Sequence, residues 1–240
     1  MFRLLKALPL ALALAALTFF AASCGSSSTK YRVVDTIPDS PVGLDFDVNT
    51  AVVFSDISFG SVNPSTGYQK VSSGSQSIEV VQTGQTTPVI NTTSLSFGGS
   101  NEYTLVLTGR YGSTIAPSAP QAVLFTDNNT LATTGDVEFR IIHASPSTTS
   151  VDVYLVPPGT DITPSQVTPQ ISGVAFQAAS PSYISLAPAT YAAIVTYAGT
   201  KQILLSQDYT LTAGQIRTLV LVDTAGGGPP PQWLELSDLN

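Results

Sequence analysis

Short stretches rich in β-branched and aromatic residues recur along the chain, separated by clusters of Gly, Pro, Asn and Ser roughly every 8 to 12 residues. Apolar and polar positions roughly alternate within these stretches, as in SIEVV, YTLVL, VDVYLV, YISL and RTLVLV. Beyond the first 24 residues, no segment shows the sustained 3.6-residue apolar period with end caps that indicates a helix. The pattern therefore predicts an all-β chain folded into antiparallel sandwiches.

The same series of sequence blocks occurs twice, in the same order. The first half contains YRVVDTIP, LDFDV, ISFGSVNPS, TLVL and QAVLFTDNN, and the second contains FRIIHASP, VDVYL, VAFQAASPS, TLVL and QWLELSDLN. Only the spacing between blocks changes, most of all in the connection VPPGTDITPSQVTPQISG of the second half, which we expect to be a surface loop. We therefore predict two tandem β-sandwich domains, at residues 31–129 and 137–240, with residues 128–136 as the link.

The strand spacing predicts roughly seven to nine strands in each domain, as in immunoglobulin-like or transthyretin-like sandwiches. A true antibody-type domain is not supported, because the chain has one Cys and no disulfide pair beside a core Trp. A single barrel made from both halves is the alternative architecture. The complete set of strands in each half favours two sandwiches.

The first 23 residues have the pattern of an export signal. A basic start with Arg3 and Lys6 precedes the apolar run ALPLALALAALTFF, which is short for a membrane span of about 20 residues. The run ends in AASC, which resembles a bacterial lipobox, with Ala21 where Leu is commonest. The resemblance implies cleavage before Cys24, attachment of diacylglycerol to its thiol and acylation, for example with palmitate, of the new amino terminus.

Lipidation of Cys24 would anchor the protein to a membrane, because each buried methylene contributes about 0.8 kcal/mol and two or more chains hold firmly. Residues 24–30 would then form a flexible tether that spans roughly 13 Å. Gly25 follows the cysteine where an Asp can signal inner-membrane retention, which favours the outer membrane, on its periplasmic or surface side. The alternative is an ordinary secretory signal with a chance cysteine.

The charge balance limits the classes of partner. Without Arg3 and Lys6, seven of the nine basic residues remain against 16 acidic ones, so the chain lacks the cationic surface that nucleic-acid binding requires. Attraction to anionic lipid headgroups is not expected for the same reason, so the lipid itself must provide any anchor. Charged residues make up only 10% of the chain, which predicts a surface of Ser, Thr, Gln and Asn.

The second half is similar to the domain-of-unknown-function 4397 family. The resemblance lies in RIIHASPSTTSVDVYLVPPGTDI, followed in order by GVAF, SYISLAPATYAAIVTYAGT and LTAGQIRTLVLVD, and it extends more faintly over residues 31–129. His-Ala-Ser-Pro with a following Val-Asp-Val is its most specific part. The family occurs in exported proteins and lipoproteins, often in tandem. The resemblance implies a β-sandwich fold and a location in the cell envelope, but no activity or cofactor.

Catalytic and metal-binding candidates are few. His143, the only histidine, could join Ser145 and Asp152 in a Ser-His-Asp arrangement, but the first half has Asp35 in place of the histidine and no nucleophile elbow occurs. We therefore interpret His143 as a strand-end imidazole that is hydrogen-bonded to a neighbouring turn, and we predict no enzyme. One His and one lipidated Cys cannot supply a zinc site, and DFDVN (residues 45–49) is interpreted as a solvated strand face rather than a calcium loop.

The loops before the last strand of each half are the candidate binding elements. GRYGSTIAPSAP and TAGGGPPP are rich in Gly and Pro, and they contain or adjoin Tyr111 and Trp233. Exposed aromatic side chains on rigid loops stack on sugars or peptide side chains, whereas Trp233 could instead belong to the core. We expect a non-catalytic binding or adhesion protein of the cell envelope, with a protein or glycan ligand. A structural spacer of an envelope complex is the alternative, and a hydrolase is a remote one.

Overall fold

The computed structural model describes residues 28–131 and 135–238. The predicted export signal and Cys24 lie outside these residues. The last three residues of the predicted flexible tether, 28–30, belong instead to the first strand. All regular structure described is β, and the strands run as follows: β1 Ser28–Asp35, β2 Leu44–Val48, β3 Ala51–Ile57, β4 Val62–Asn63, β5 Gln69–Ser72, β6 Gly74–Gln82, β7 Pro88–Phe97, β8 Glu102–Thr108, β9 Gln121–Asp127, β10 Val137–His143, β11 Val151–Val156, β12 Ile171–Val174, β13 Ala178–Ala179, β14 Ile184–Leu186, β15 Ala189–Tyr197, β16 Ile203–Leu211, β17 Ile216–Val222 and β18 Gln232–Ser237.

Residues 28–131 and 135–238, which we call the N-terminal and C-terminal halves, have the same sheet order. The N-terminal half has an inner sheet, β4-β1-β8-β9 with β5 also on β1, and an outer sheet, β3-β2-β6-β7. The C-terminal half repeats this arrangement with β13-β10-β17-β18, where β14 also pairs with β10, and β12-β11-β15-β16. The prediction of all-β sandwiches is confirmed, and these sheets do not close into a barrel. The predicted link lies between β9 and β10.

One pairing in each inner sheet is parallel, a detail that the sequence pattern did not predict. β1 runs parallel to β8, with Arg32 opposite Thr104, and β10 runs parallel to β17, with Arg140 opposite Thr218. The remaining pairings in all four sheets are antiparallel. The parallel pair brings the ends of the first and penultimate strands of each half to the same end of the sandwich.

Each half has its own core between its two sheets. In the N-terminal half, Tyr31, Phe46 and Phe97 pack with ring centroids about 6 Å apart, among buried aliphatic residues of both sheets. The C-terminal core is mostly aliphatic around Phe139. The outer strand β2 shows the expected alternation, since Leu44, Phe46 and Val48 are buried and the residues between them are half-buried.

The two inner sheets pack against each other and form a third core between the halves. It contains Val34 and Val106 from the N-terminal half and Ile142, Val220 and Leu236 from the C-terminal half. A strand that is covered on both faces reads as a continuous apolar run, and both TLVL blocks and the VV and II of the first strands have this character. The four sheets therefore form one stack, in which the inner sheets are buried on both faces.

The longer connection of the C-terminal half folds back over the outer face of its own outer sheet. Ile162 is buried there against Tyr154 and Ile194, and Val167 packs on the same cluster. The Lys201 ammonium lies 4.6 Å from the centroid of the Tyr154 ring and donates a hydrogen bond to the Val167 carbonyl. Residues 157–170 form a surface loop, as predicted, whereas the last residues of the predicted loop, from Ile171 on, belong to β12. The loop also adds a small apolar layer to this half.

Candidate functional site

Tyr111 lies in the β8–β9 loop, residues 109–120, and remains 37% exposed. Its backbone N–H donates to Asp39 Oδ1 at 2.8 Å, and its hydroxyl donates to Gln82 Oε1 at 3.0 Å. These two bonds hold the loop against the β1–β2 connection and the end of β6. Among the residues that the structure describes, Tyr111 is the one aromatic residue among the exposed large hydrophobic side chains.

An open cleft of about 460 Å³ lies beside this tyrosine. Its walls come from the β6–β7 turn, the start of β7 and the β8–β9 loop, and they comprise Gln82, Gln85, Thr87, Pro88, Val89, Asn91, Tyr111, Gly112, Ser113, Thr114 and Pro120. None of these residues is charged at neutral pH. We call this feature the Tyr111 cleft, and its volume is in the range of sites for small ligands.

The Tyr111 cleft lies at the end of the sandwich that is remote from residue 28. β1 leads from Ser28 to Asp35, and the parallel β8 ends beside it, so the β8–β9 loop begins at the far end of the sheet. A strand of this length spans about 26 Å. A tether attached before β1 would therefore leave the cleft pointing away from the point of attachment.

A larger opening, of about 560 Å³, lies at the opposite end, near the start of β1. Lys30 and Glu102 line it and form an exposed salt bridge of 2.6 Å with each other. Its wall includes Thr130, next to residues outside the described ranges. Its lining contains no aromatic side chain, so it lacks the stacking surface that distinguishes the Tyr111 cleft.

Trp233 does not line the Tyr111 cleft. It lies on β18, half-buried against the C-terminal core, and its indole nitrogen is buried without a hydrogen-bond partner among the described residues. The β17–β18 loop that precedes it docks on the other half, where Gly226 N–H donates to the Pro38 carbonyl at 2.6 Å. Trp233 therefore packs against the core, as in the alternative interpretation, and does not lie on the binding loop.

His143, Ser145 and Asp152 are not brought together as a relay. Nε2 of His143 lies 2.7 Å from the Thr149 carbonyl oxygen, to which it must donate, and Nδ1 accepts the Ser145 N–H at 3.3 Å. Burial lowers the pKa of His143, so the imidazole is neutral in this turn. The Ser145 hydroxyl donates instead to the buried carboxylate of Asp223.

Asp152 and Asp45, at matched positions of the two halves, each tie two segments to their strand. Asp152 accepts the N–H groups of Gly173 and Gly199, both at 2.8 Å. Asp45 Oδ1 accepts the Asp56 N–H at 2.9 Å and the Thr83 hydroxyl at 2.8 Å.

Within residues 28–131 and 135–238, no group of three or more His, Cys, Asp or Glu side chains is arranged to hold a metal ion. The described residues also include no helix long and apolar enough to cross a membrane.

A buried charge network between the halves was missed by the sequence reasoning. Arg32 is 4% exposed and pairs with Asp238 of the other half, while its Nη1 donates to the Ser237 carbonyl at 2.6 Å. Arg140 is equally buried and pairs with Asp127 of the first half, while its Nη1 donates to the Thr126 carbonyl at 2.9 Å. Each half thus supplies an arginine to the other half's carboxylate, and two positive charges face two negative ones.

Threonine and tyrosine side chains complete this network in the same way on both sides. Thr104 accepts from Nε of Arg32 at 3.0 Å and donates to Asp127 at 2.8 Å. The Tyr68 hydroxyl also donates to Asp127, and its ring lies 5.1 Å from the Arg32 guanidinium. Thr218 and Tyr183 make the equivalent contacts with Arg140 and Asp238.

The electrostatics of the network keep Arg140 charged. Burial lowers the pKa of Arg140 and is the largest single effect, but Asp127, Tyr183 and Asp238 together outweigh it, and the pKa is raised. Burial also raises the pKa of Tyr68 and Tyr183, which remain neutral donors. The arginine, threonine and aspartate of each half lie in matched sequence blocks. An arginine repeated at the same place in two apolar strands was therefore the sequence signal that could have revealed the network.

A family model described as Domain of unknown function (DUF4397) matches residues 29–154, just over half of the chain. The chain belongs to the DUF4397 family. The match covers the N-terminal half, β10 and most of β11, whereas the motifs predicted the strongest resemblance after residue 140. No curated protein matches this DUF4397 protein significantly.

The two polar regions of this DUF4397 protein can do different things. In the network around Arg32 and Arg140, the charges are buried and paired within the chain, so it holds the halves together. In the Tyr111 cleft, exposed amide and hydroxyl side chains surround an exposed aromatic ring. Of these two regions, the cleft is therefore the one whose polar groups are available to a ligand.

Proposed function

We propose that this protein is a lipid-anchored protein of the cell envelope that binds a ligand without catalysing a reaction, and that the Tyr111 cleft is its binding site. The observation that carries the proposal is the open, uncharged cleft beside a tyrosine fixed by bonds to Asp39 and Gln82. A rigid aromatic side chain loses little conformational freedom on binding, which favours affinity. The ligand is a protein or a glycan of the envelope.

The position of the cleft supports a tethered binding module. Cys24 precedes β1 by a few residues, and the cleft lies at the far end of the same sheet. A lipid on Cys24 would hold the start of β1 near the membrane, with the outer membrane favoured, and the cleft would face away from it. The buried network between the halves supports presentation as one rigid unit.

We expect mass spectrometry of the mature protein to find a diacylated or triacylated cysteine at position 24 as its first residue. Cys24→Ser should abolish the modification and move the protein from the membrane fraction to the soluble fraction, because the lipid is the proposed anchor. Fractionation of both forms measures this directly. An unmodified terminus on a secreted wild-type protein would contradict the tether and indicate a free exported protein.

We expect immobilised mature protein to retain an envelope component, and Tyr111→Ala to reduce that retention about tenfold through the loss of stacking area. Pull-downs from envelope extracts, together with glycan arrays, measure the effect. Ile203→Ala is the control, because Ile203 is also exposed but lies on the outer sheet of the other half. Equal retention by both variants would show that the Tyr111 cleft is not the binding site.

A structural spacer of an envelope complex is the second candidate. The stack of four sheets supports it, because the buried network and the shared core between the halves would keep such a spacer stiff. A spacer would co-purify with a stable partner whose retention does not depend on Tyr111. A monomer with no partner after mild crosslinking in cells would count against this candidate.

A further inference from the structure

We infer that the ligand of the Tyr111 cleft is an uncharged carbohydrate, whose ring stacks on Tyr111 and whose hydroxyls bond to the side-chain amides of Gln85 and Asn91. This inference rests on the proposed function and narrows it from any envelope ligand to one chemical class. Three properties of the cleft carry it: the absence of charge among the lining residues, the type of its free hydrogen-bonding groups and the fixed aromatic ring.

The lining excludes ligands whose recognition depends on charge. A phosphate, sulfate or carboxylate group is bound in proteins mainly by Arg or Lys, often in bidentate pairs. A cationic ligand calls for carboxylates or for several aromatic rings around it. The residues that line the Tyr111 cleft include no arginine, lysine or carboxylate, and Tyr111 is the one aromatic residue among them. The ligand that fits is polar and neutral.

The free polar groups of the cleft suit hydroxyls. Gln85, Thr87 and Asn91 are exposed in its wall, and their side chains make no hydrogen bond to any described residue. An amide side chain offers both donors and an acceptor, and a sugar hydroxyl also both donates and accepts. Two amides and a hydroxyl therefore offer the donors and acceptors that the hydroxyls of a sugar require.

Tyr111 supplies the apolar part of the recognition. The C–H face of a pyranose ring is apolar, and an aromatic ring is the side chain with the largest flat area to cover it. The bonds from Tyr111 to Asp39 and Gln82 hold the ring in place before a ligand arrives. Pro88, at the start of β7, and Pro120, at the end of the β8–β9 loop, stiffen the cleft wall, since proline fixes its own φ angle.

A peptide is the main competing ligand, because β7 is an edge strand of the outer sheet and could pair with an added strand. Strand addition would depend on main-chain bonds along β7 and little on the amides of Gln85 and Asn91. A sugar would depend on those amides and on the ring. The two ligand classes therefore differ in their sensitivity to the same substitutions.

The test is affinity electrophoresis of the detergent-solubilised full chain in gels that contain one polysaccharide each. The neutral probes are dextran, amylose, mannan and galactan, and the charged probes are dextran sulfate and alginate. We expect at least one neutral probe to retard the protein and the sulfated form of dextran to bind no better than dextran. Tyr111→Ala should weaken the binding about tenfold, Tyr111→Phe should retain most of it, and Gln85→Ala and Asn91→Ala should each weaken it several-fold. Ile203→Ala should leave it unchanged.

The outcomes separate this inference from the proposed function. Retardation by the charged probes alone, or by neutral probes with no loss in Tyr111→Ala, overturns the carbohydrate inference. If no polysaccharide binds but an envelope protein or peptide is retained in a Tyr111-dependent manner, the inference falls and the proposed function stands. If neither polysaccharides nor envelope components bind through Tyr111, both fall. Circular dichroism of each variant is the check that its fold is intact.

Discussion

Replacing Arg32 by methionine should lower the free energy of unfolding by about 3–5 kcal/mol, the usual effect of removing one partner from a buried ion pair. The carboxylate of Asp238 has no exposed surface and would lose its direct counterion, and the Ser237 carbonyl would lose a donor. Thr218 and Tyr183 would still donate to Asp238, and Arg140 would remain 3.9 Å from it. Arg140 is paired directly with Asp127, however, so one buried positive charge would face two carboxylates. Urea unfolding of the mature protein measures the change.

Lys30→Met is the matched control on the same strand. Lys30 also pairs with an acid, Glu102, but its side chain is 46% exposed, so its removal should change stability by less than about 1 kcal/mol. Because the network repeats on both sides, Arg140→Met should match Arg32→Met closely. The double variant Arg32→Met/Asp238→Asn should lose less than the sum of its two single variants, since no charge is left unpaired. Equal effects of Arg32→Met and Lys30→Met would refute the assigned role.

Asp35→Asn should stabilise the protein at pH 8 by up to about 4 kcal/mol and leave its stability nearly unchanged at pH 4. Burial at the end of β1 raises the pKa of the Asp35 carboxyl from 3.8 to about 7. The folded chain therefore keeps this proton between about pH 4 and pH 7 while the unfolded chain releases it. In that window the wild type loses stability as the pH rises, at about 1.36 kcal/mol per pH unit.

Asparagine is the uncharged isostere of the protonated acid and can still accept the Ile37 N–H, which Asp35 Oδ1 accepts at 2.9 Å. Urea unfolding at pH 4, 6 and 8 should show the gap between variant and wild type opening with pH. Asp208→Asn, at an exposed position of β16, should change stability by less than about 0.5 kcal/mol at each pH. A gap that stays constant from pH 4 to pH 8 would show that Asp35 is ionised throughout.

The matched positions Asp35 and His143 show how far a comparison of the two halves extends. The alignment correctly put both residues at the ends of first strands, where each is buried. Burial disfavours charge in both, yet it raises the pKa of the acid and lowers that of the imidazole. The two halves therefore share a backbone position but differ in the pH range over which that position affects stability.

The candidate site was predicted only in part. Tyr111 was identified from its Gly- and Pro-rich loop, and it is exposed as expected. Gln85 and Asn91 were not, because they come from another turn and strand that join the loop only in the folded sheet. Trp233, with the same loop signal, packs against the core, since its position on β18 rather than in the loop decides its neighbours.

The sequence by itself determined the all-β class, the positions of most strands and the common order of strands in the two halves. These properties depend on alternation and turn chemistry, which act between residues close together in the chain. The tertiary structure alone decided that the inner sheets pack together, that Arg32 meets an aspartate 206 residues away, and that a polar cleft forms beside Tyr111. A local pattern shows that a strand has two apolar faces or that it carries a charge. It does not show the partner, because the partner of an apolar face must match it in shape and the partner of a buried charge must match it in charge.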